Sequence, residues 1–376
     1  MRKIEMVDLK GQYLKIKDEI DEAIRKVIDS SSFVRGDVVL NFQQNLERYL
    51  NVRHVIPVGN GTDALQISLM ALGLKSGDEV ITPSFTFVST AEVVALLGLK
   101  PVFIDVDPSS FCMSVENVSK AITKKTKAII PVQLFGQNAD MEPINAIAKK
   151  HGLHVVEDAC QSIASEYRFQ NGDVFKSGCM GDLGCTSFFP SKNLGCYGDG
   201  GAIFTNDDVL AENARSIANH GMKTRYHYER IGVNSRLDSI QAAVLDVKLR
   251  YLDQYIESRR KAAKYYDEKL SDIPPIICPS QSKSSGHVYH QYTIRVKNGK
   301  RGELQSYLKE QGIPTMVYYP VPLHLQKAYN DGRYSIGDLP NTEGLASTVL
   351  SLPMHTELDE EQLAYITNNI RKFFTR

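Results

Sequence analysis

The chain has 376 residues, about twice an average domain, with the 42% apolar and 23% charged residues of an ordinary globular protein. Lysine plus arginine equals aspartate plus glutamate, 44 each, so net charge gives no reason to bind nucleic acid or an anionic membrane. The six cysteines form no C-x-x-C pair, no apolar run approaches the ~20 residues of a membrane span, and the N-terminus lacks an apolar signal segment. We therefore expect a cytoplasmic protein that binds no metal, nucleic acid or membrane.

The first part of the chain alternates short apolar runs with helical patterns. Helix-length segments lie at residues 62–72, ended by Gly73, and at 141–150, ended by Gly152. The apolar runs predicted as strands are residues 54–58, 78–85, 100–106, 127–136, 153–159, 185–189 and 200–207. Strands that are apolar on both faces and alternate with helices predict an α/β fold, with a mostly parallel central sheet flanked by helices.

The pattern changes after residue 207. Apolar positions from Leu237 to Tyr266 follow the helical period and predict a long amphipathic helix, kinked or broken once. The later elements are predicted as a strand at 290–298, a helix at 301–313 and an extended segment at 315–325. We therefore predict a large α/β domain over residues 1–250 and a smaller C-terminal α+β domain over residues 251–376.

Polar residues fall at the ends of predicted strands, where a doubly wound sheet binds its ligands. Gly59, Gly61 and Thr62 lie between a strand and a helix, which suits either a phosphate or a tight turn with Thr62 as a simple cap. Asp158 ends an apolar strand, where a carboxylate either caps the next helix or faces a ligand. Lys192 follows the aromatic run of "TSFFPSKNLGCYGDGG"; an isolated lysine there would normally be a solvated loop residue.

Together these residues are the parts of a pyridoxal 5'-phosphate site. The lysine amine forms a Schiff base with the cofactor aldehyde, so it must lose its proton readily. The aspartate pairs with the pyridine nitrogen, and a carboxylate ~3 Å away at an effective dielectric constant of ~20 contributes roughly 5 kcal/mol, or about 4 pKa units. We therefore predict pyridoxal phosphate as the cofactor and Lys192 as its covalent anchor.

The same residues belong to motifs that span nearly the whole chain. The motifs are "FVRGDVVLNFQQNLERYL", "GNGTDAL", "ITPSFTFVST", "VEDACQS", "SFFPSKNLGCYGDGG", "GVNSRLDSIQAA" and "YYPVPLHLQ". In this order they strongly resemble the DegT/StrS family of nucleotide-sugar aminotransferases. The resemblance implies the type I, aspartate aminotransferase-like fold and a pyridoxal-phosphate-dependent transaminase.

The resemblance also implies roles for the residues around the cofactor ring. Lys192 matches the Schiff-base lysine, Asp158 the partner of the pyridine nitrogen, and Gln161 the group that hydrogen-bonds the ring oxygen. Phe87 matches the aromatic residue that stacks on the ring, although core packing is an alternative role and Phe85 is its near rival.

The phosphate site and a subunit contact follow from the same resemblance. Gly61, Thr62 and Ser187 match the phosphate-binding groups. Asn234 matches a residue that reaches the phosphate from the neighbouring subunit, although it could also be a helix N-cap. The resemblance therefore implies an obligate homodimer with shared active sites.

Four residues are substrate-side candidates by position, and each could equally be structural: Arg236, Tyr318, Tyr319 and His324. An arginine would suit a diphosphate or a sugar carboxylate. The chain departs from the family at Gln133 in "PVQLFG", where histidine is usual. This change leaves the catalytic set intact and puts one contact in the wall of the site in doubt.

The implied reaction moves an amino group from glutamate to a nucleotide-linked keto-sugar, with the freed Lys192 shuttling the proton. Segments such as "RYHYERIGVNSRLD" are most similar to enzymes that aminate C3 of UDP-3-keto-N-acetylglucosaminuronate, which makes a surface-polysaccharide or lipopolysaccharide sugar the expected product. The alternatives are a dTDP-3-keto-6-deoxyhexose aminotransferase and a C4 sugar aminotransferase.

Three other classes match less well. Pyridoxamine-dependent sugar dehydratases of the same fold have histidine at the position of Lys192. A nicotinamide-dependent dehydrogenase would use G-x-G-x-x-G, whereas "GNGTDA" has Ala64 at the last position, a place where alanine is also tolerated. A cofactor-binding regulator is the third class, but the chain has nothing resembling a DNA-binding module or a basic arm.

Overall fold

The computed structural model describes residues 2–375. Its strands are β1 His54–Val58, β2 Glu79–Pro83, β3 Lys100–Ile104, β4 Thr126–Ile129, β5 His154–Asp158, β6 Glu166–Arg168, β7 Val174–Lys176, β8 Leu183–Ser187, β9 Gly201–Thr205, β10 Met222–Thr224, β11 His227–Tyr228, β12 Ile276–Ile277, β13 Tyr292–Val296 and β14 Val349–Leu352. Its α-helices are α1 Leu9–Lys15, α2 Lys17–Ser30, α3 Asp37–Leu50, α4 Gly61–Ala71, α5 Ser89–Leu96, α6 Val115–Ala121, α7 Met141–His151, α8 Asp208–Ile217, α9 Ser239–Leu249, α10 Leu252–Leu270, α11 Arg301–Glu310, α12 Pro340–Thr348 and α13 Glu360–Phe374. Within residues 2–375, no helix has the length and apolar content needed to cross a membrane.

The central sheet has seven strands in the order β1-β9-β8-β5-β4-β2-β3. All run parallel except β9, which is antiparallel to both of its neighbours. Buried apolar clusters cover the sheet with α4, α5 and α8 on one side and α3, α9 and α10 on the other. The predicted α/β fold with a mostly parallel sheet is confirmed, and the carboxyl ends of β2, β5 and β8 lie along one edge.

The turn between β1 and α4 differs in detail from the prediction. Asn60 is extended, with φ −168°, and its side chain accepts a hydrogen bond from Asp63 N at 2.8 Å. Asn60 is therefore the N-cap, and the helix begins at Gly61. The expectation that Thr62 could cap this helix is wrong, because Thr62 already lies in its first turn.

The predicted long helix after residue 237 is two helices. Helix α9 ends at Leu249 and α10 begins at Leu252, so the break predicted there falls between them. The predicted domain boundary after residue 250 lies in this connection, and the division into two domains stays a prediction. A separate apolar core joins α10, α11 and α13 to the antiparallel sheet β12-β13-β14, and Ile4 near the N-terminus packs into it.

After α11 the chain returns to the central sheet. The described segment 315–325 forms no strand, and Met316 makes a single bridge to Ser351. Beyond it, Tyr318 and Tyr319 pack against a buried aromatic cluster at the carboxyl edge of the sheet. This return brings residues from the C-terminal part of the chain to the edge where the strand-end residues lie.

Candidate active site

A cavity of about 760 Å³ lies at this edge. Strands β5 and β8 end beside it, with Asp158 and Ser187 as their last residues. The predicted site residues that line it are Gly61, Thr62, Phe87, Gln161, Ser187, Lys192, Tyr318 and Tyr319. The structure therefore brings most of the predicted cofactor residues, and two of the substrate-side candidates, around one space.

Lys192 belongs to a closed loop that follows β8. Cys196 N donates to Phe188 O at 2.8 Å and closes the loop, and Lys192 N donates to Phe189 O at 2.8 Å within it. Burial lowers the pKa of the Lys192 amine, and smaller electrostatic effects of Cys160 and Asp158 oppose this shift. The lowered pKa leaves a larger share of the amine unprotonated, as a nucleophile requires.

Asp158 lies close enough to Lys192 to affect its charge, and it is 6% exposed. Its Oδ2 accepts a hydrogen bond from Thr90 Oγ1 at 2.7 Å, and its Oδ1 accepts one from Cys160 N at 3.2 Å. The Thr90 hydroxyl is itself hydrogen-bonded to Thr86 at 3.1 Å. The carboxylate is therefore held in one orientation, which suits the stabilisation of a protonated ring nitrogen.

The N-terminus of α4 abuts the end of β8. A Cβ atom on Gly61 would lie 2.8 Å from Ser187 Cβ and 2.9 Å from Cys160 Sγ, so only glycine fits there without displacement. The N–H groups of Gly61 and Thr62 have no acceptor within the helix, because they belong to its first turn. Free N–H groups at a helix N-terminus, beside a serine, form a cradle that fits a phosphate.

The choice between Phe87 and Phe85 is decided by exposure. Phe87 lines the cavity and is 53% exposed, whereas Phe85 is 1% exposed. Phe85 packs in the aromatic cluster with Phe111 and Phe135. The geometry therefore favours Phe87 as the residue that would stack on a cofactor ring.

Gln161 joins the cofactor side of the cavity to the C-terminal tyrosines. Its Oε1 accepts from Phe135 N at 2.8 Å, and its Nε2 donates to the hydroxyl of Tyr319 at 3.1 Å. An amide nitrogen carries two hydrogens, so Nε2 retains one donor for a ligand. Burial raises the pKa of Tyr319, so its hydroxyl stays protonated.

Asn234 and Arg236 do not line this cavity. Both are exposed, and Arg236 lines a second cavity of about 450 Å³ together with Arg35, Arg215 and Lys223. Asn234 is not the N-cap of α9, because Asp238 occupies that position. Within one chain, these two predicted site residues therefore lie outside the cavity that Lys192 lines.

Two other residues lie outside the cavity, and each belongs to a buried polar pair. His324, predicted as a substrate-side residue, is 1% exposed, lies outside the cavity and hydrogen-bonds Ser84 Oγ at 2.7 Å. Gln133, the departure from the family that put a wall contact in doubt, is fully buried, lies outside the cavity and donates from Nε2 to Glu157 Oε2 at 2.8 Å. Their positions are those of structural residues.

The remaining wall residues were not predicted: Asn60, Asp63, Ser89, Phe135, Cys160, Phe189, Ser191, Asp199, His290 and Gln291. Several adjoin predicted residues in sequence, so the strand-end argument could have included them. His290 and Gln291 had no such signal. Both residues begin the segment 290–298, for which the sequence predicted only a strand. This segment is held at the cavity by the loop at Phe135, because Gln291 N donates to Phe135 O at 3.3 Å.

The chain is similar to known proteins over almost its whole length. The sequence pattern of the DegT/DnrJ/EryC1/StrS aminotransferase family matches residues 14–371. A "Pleiotropic regulatory protein" of Geobacillus stearothermophilus is 49% identical, over 99% of this chain and 98% of that protein. The UDP-2-acetamido-2-deoxy-3-oxo-D-glucuronate aminotransferase of Pseudomonas aeruginosa is 48% identical, over 96% and 98%. The dTDP-3-amino-3,4,6-trideoxy-alpha-D-glucose transaminase of Streptomyces venezuelae is 38% identical, over 100% and 97%.

Solved structures agree with these sequence matches. A DegT/DnrJ/EryC1/StrS aminotransferase from Brucella abortus superposes with a TM-score of 0.94 at 44% identity, over 99% of this chain and 100% of that one. NtdA from Bacillus subtilis with bound cofactor PMP superposes with a TM-score of 0.92 at 31% identity, over 100% and 86%. The fold and the site therefore define a pyridoxal-phosphate-dependent aminotransferase. This chain belongs to the DegT/DnrJ/EryC1/StrS aminotransferase family.

Proposed function

We propose that the protein transfers the amino group of glutamate to C3 of a nucleotide-linked keto-sugar, with UDP-3-keto-N-acetylglucosaminuronate as the acceptor. The observation that carries the transaminase part is that Lys192 and the N-terminus of α4 line one cavity, with Asp158 close enough to Lys192 to affect its charge. The name of the Pseudomonas aeruginosa relative supports the choice of sugar. A dTDP-3-keto-6-deoxyhexose is the alternative, supported by the Streptomyces venezuelae relative, and C4 amination is a further one. The product would enter polysaccharide or lipopolysaccharide synthesis from the cytoplasm.

The cavity residues divide binding and proton transfer among them. Bound pyridoxal phosphate would supply an electron sink for the carbon that loses its proton. The first N–H groups of α4 and the hydroxyl of Ser187 would hold its phosphate, Asp158 its ring nitrogen and Gln161 its ring oxygen. Phe87 would cover one face of the ring. The amine of Lys192 would take the proton from the α-carbon of glutamate in the first half-reaction and deliver a proton to the sugar carbon in the second.

A homodimer would complete the site with residues of the second subunit. Asn234 and Arg236 are exposed and lie outside the cavity of their own chain, which supports their action in the partner's site. Mixing Lys192→Ala with Arg236→Ala subunits tests this arrangement. If sites are shared, each heterodimer has one intact site, and an equal mixture should recover about a quarter of wild-type activity. No recovery in verified heterodimers would mean that each site takes both residues from the same chain.

A regulatory role is the second candidate, because the Geobacillus stearothermophilus relative carries a regulator's name. A cofactor-dependent sensor would bind pyridoxal phosphate and glutamate without amino transfer to a sugar. The cavity contains the lysine that a proton transfer needs, which favours turnover.

The test is a glutamate-dependent assay with UDP-linked and dTDP-linked 3-keto sugars, read by mass spectrometry. An aminated UDP-sugar acid is the expected product. Amination of the dTDP-sugar alone would replace the acceptor and keep the reaction class. Cofactor amination by glutamate without any sugar product would favour the regulatory candidate or another acceptor.

A further inference from the structure

His290 lies in the wall of the cavity and has no role in the contacts described above. It is 6% exposed, and its Nδ1 is buried without a hydrogen-bond partner among the described residues. Burial, with smaller effects of Lys192 and Arg259, holds the pKa of His290 well below its usual range. The imidazole is therefore neutral at physiological pH and carries one N–H and one lone pair.

The surroundings of Nδ1 select the tautomer. A buried N–H without an acceptor is rarer in proteins than a buried acceptor that lacks a donor. The proton is therefore better placed on Nε2, leaving the unprotonated nitrogen in the enclosed position. Because Nδ1 is enclosed, Nε2 lies on the edge of the ring that contributes to the cavity wall. The wall then contains a neutral hydrogen-bond donor.

One buried cation, Arg259, lies near His290, and a second, Lys248, lies near Arg259. Arg259 is 3% exposed, and its Nη1 donates to the carbonyls of Tyr289 at 3.1 Å and His290 at 3.4 Å. Lys248 is 1% exposed, and its Nζ donates to Gly195 O at 2.5 Å. Across residues 2–375, both are held by backbone carbonyls and neither is paired with a carboxylate. Their charge is not neutralised by the chain, so it favours an anion nearby.

We propose, on the basis of the proposed aminotransferase function, that His290 forms a carboxylate subsite in which Nε2–H donates to a substrate carboxylate. Among the described wall residues, Lys192 is the cationic side chain, while Asp63 and Asp199 are acidic. An incoming carboxylate therefore gains most at the His290 side of the cavity, near Arg259. The dicarboxylate amino donor is the expected occupant, and a sugar acid is the other source of the same group.

Binding of unreactive carboxylates to the cofactor-loaded protein tests the subsite. Glutarate, a dicarboxylate without an amino group, represents the donor, and UDP-glucuronate represents the acceptor. We expect His290→Ala to raise the dissociation constant of glutarate at least about tenfold, because a hydrogen bond to a charged group is lost. Calorimetry measures this change, and cofactor absorbance confirms that occupancy is unchanged.

Two further variants make the result specific. His290→Gln keeps a side-chain N–H donor at a similar distance from the backbone, so it should recover part of the affinity for glutarate. It replaces His290→Ala as the test if the alanine variant does not fold. His355→Ala is the control, because His355 is also buried with a partnerless ring nitrogen and lies outside the cavity wall. It should bind both probes as the wild type does.

The outcomes separate the subsite from the proposed function. Weaker UDP-glucuronate binding with unchanged glutarate binding would assign the subsite to the acceptor. Unchanged affinity for both probes in His290→Ala, equal losses in His355→Ala, or no binding of either probe by the wild type would overturn it. Transfer of ¹⁵N from glutamate to a sugar by the wild type tests the proposed function independently of these results.

Discussion

One loop contains the half-buried Lys192 and accepts a hydrogen bond from the fully buried Lys248, and the two lysines differ in what they face. Lys192 lines the cavity, whereas Lys248 on α9 donates to the backbone of Gly195 and lies 5.5 Å from the ring centroid of Tyr197. Burial lowers the pKa of both amines, that of Lys248 to about 8. A lowered pKa therefore does not by itself mark the catalytic lysine. What marks Lys192 is its access to the cavity that the N-terminus of α4 also lines, with Asp158 close behind it.

The largest expected difference between the two lysines is the loss of amino-transfer activity when each amine is removed. Lys192→Ala and Lys192→Arg should lower amino transfer by at least about 10³-fold, because alanine has no amine and arginine cannot be deprotonated. Lys248→Met should stay within about tenfold of the wild type. The measurement is ¹⁵N transfer from labelled glutamate. Substantial activity in Lys192→Arg would contradict the role of a deprotonated amine.

The carboxylate beside Lys192 should give the next largest effect. Asp158→Asn removes the charge while keeping the size of the side chain, and we expect kcat to fall about 30- to 1000-fold, as for a loss of roughly 2–4 kcal/mol. Thr90→Val, which keeps the charge of Asp158 but removes the hydroxyl that bonds its Oδ2 and Thr86, should cost about tenfold. Equal effects of both variants would mean that orientation, rather than charge, is the main contribution.

A substitution at the N-terminus of α4 should have a smaller effect, on the affinity for the cofactor. In Gly61→Ala the added methyl would meet Ser187 and Cys160 at less than 3.0 Å, so the cradle must shift. We expect the dissociation constant of pyridoxal phosphate to rise about 10- to 100-fold, for a shift that costs 1–3 kcal/mol. Absorbance titration measures it. Gly302→Ala in α11, where nothing lies within 4 Å, is the control and should bind normally.

The sequence was sufficient where a residue's position follows from its own segment. Asp158 and Ser187 end apolar strands, and Lys192 follows one, so the sheet topology places them together. His324 could not be placed this way, because its partner Ser84 lies 240 residues earlier in the chain. His290 reaches the cavity through tertiary pairing of its segment, and only a structure shows that its Nδ1 has no partner.

The smallest expected effect concerns stability rather than catalysis. With a pKa of about 8 in the folded state and 10.5 as the ordinary value, Lys248 binds fewer protons folded than unfolded between these limits. The free energy of unfolding should therefore rise with pH in this window, by about 1.4 kcal/mol per pH unit at most. Denaturant unfolding of wild type and Lys248→Met at pH 7.5 and 10 measures the difference. The variant should lack this part of the rise, and identical pH slopes would show that Lys248 does not titrate there.

The central claim is that the cavity lysine, Lys192, and not the more deeply buried Lys248, holds the cofactor. Borohydride reduction of the cofactor-loaded protein, followed by proteolysis and mass spectrometry, locates the attachment directly. We predict that the added mass lies on the peptide that contains Lys192. A modification on Lys248 or on any other lysine, or a cofactor that stays unattached after reduction, would contradict the account.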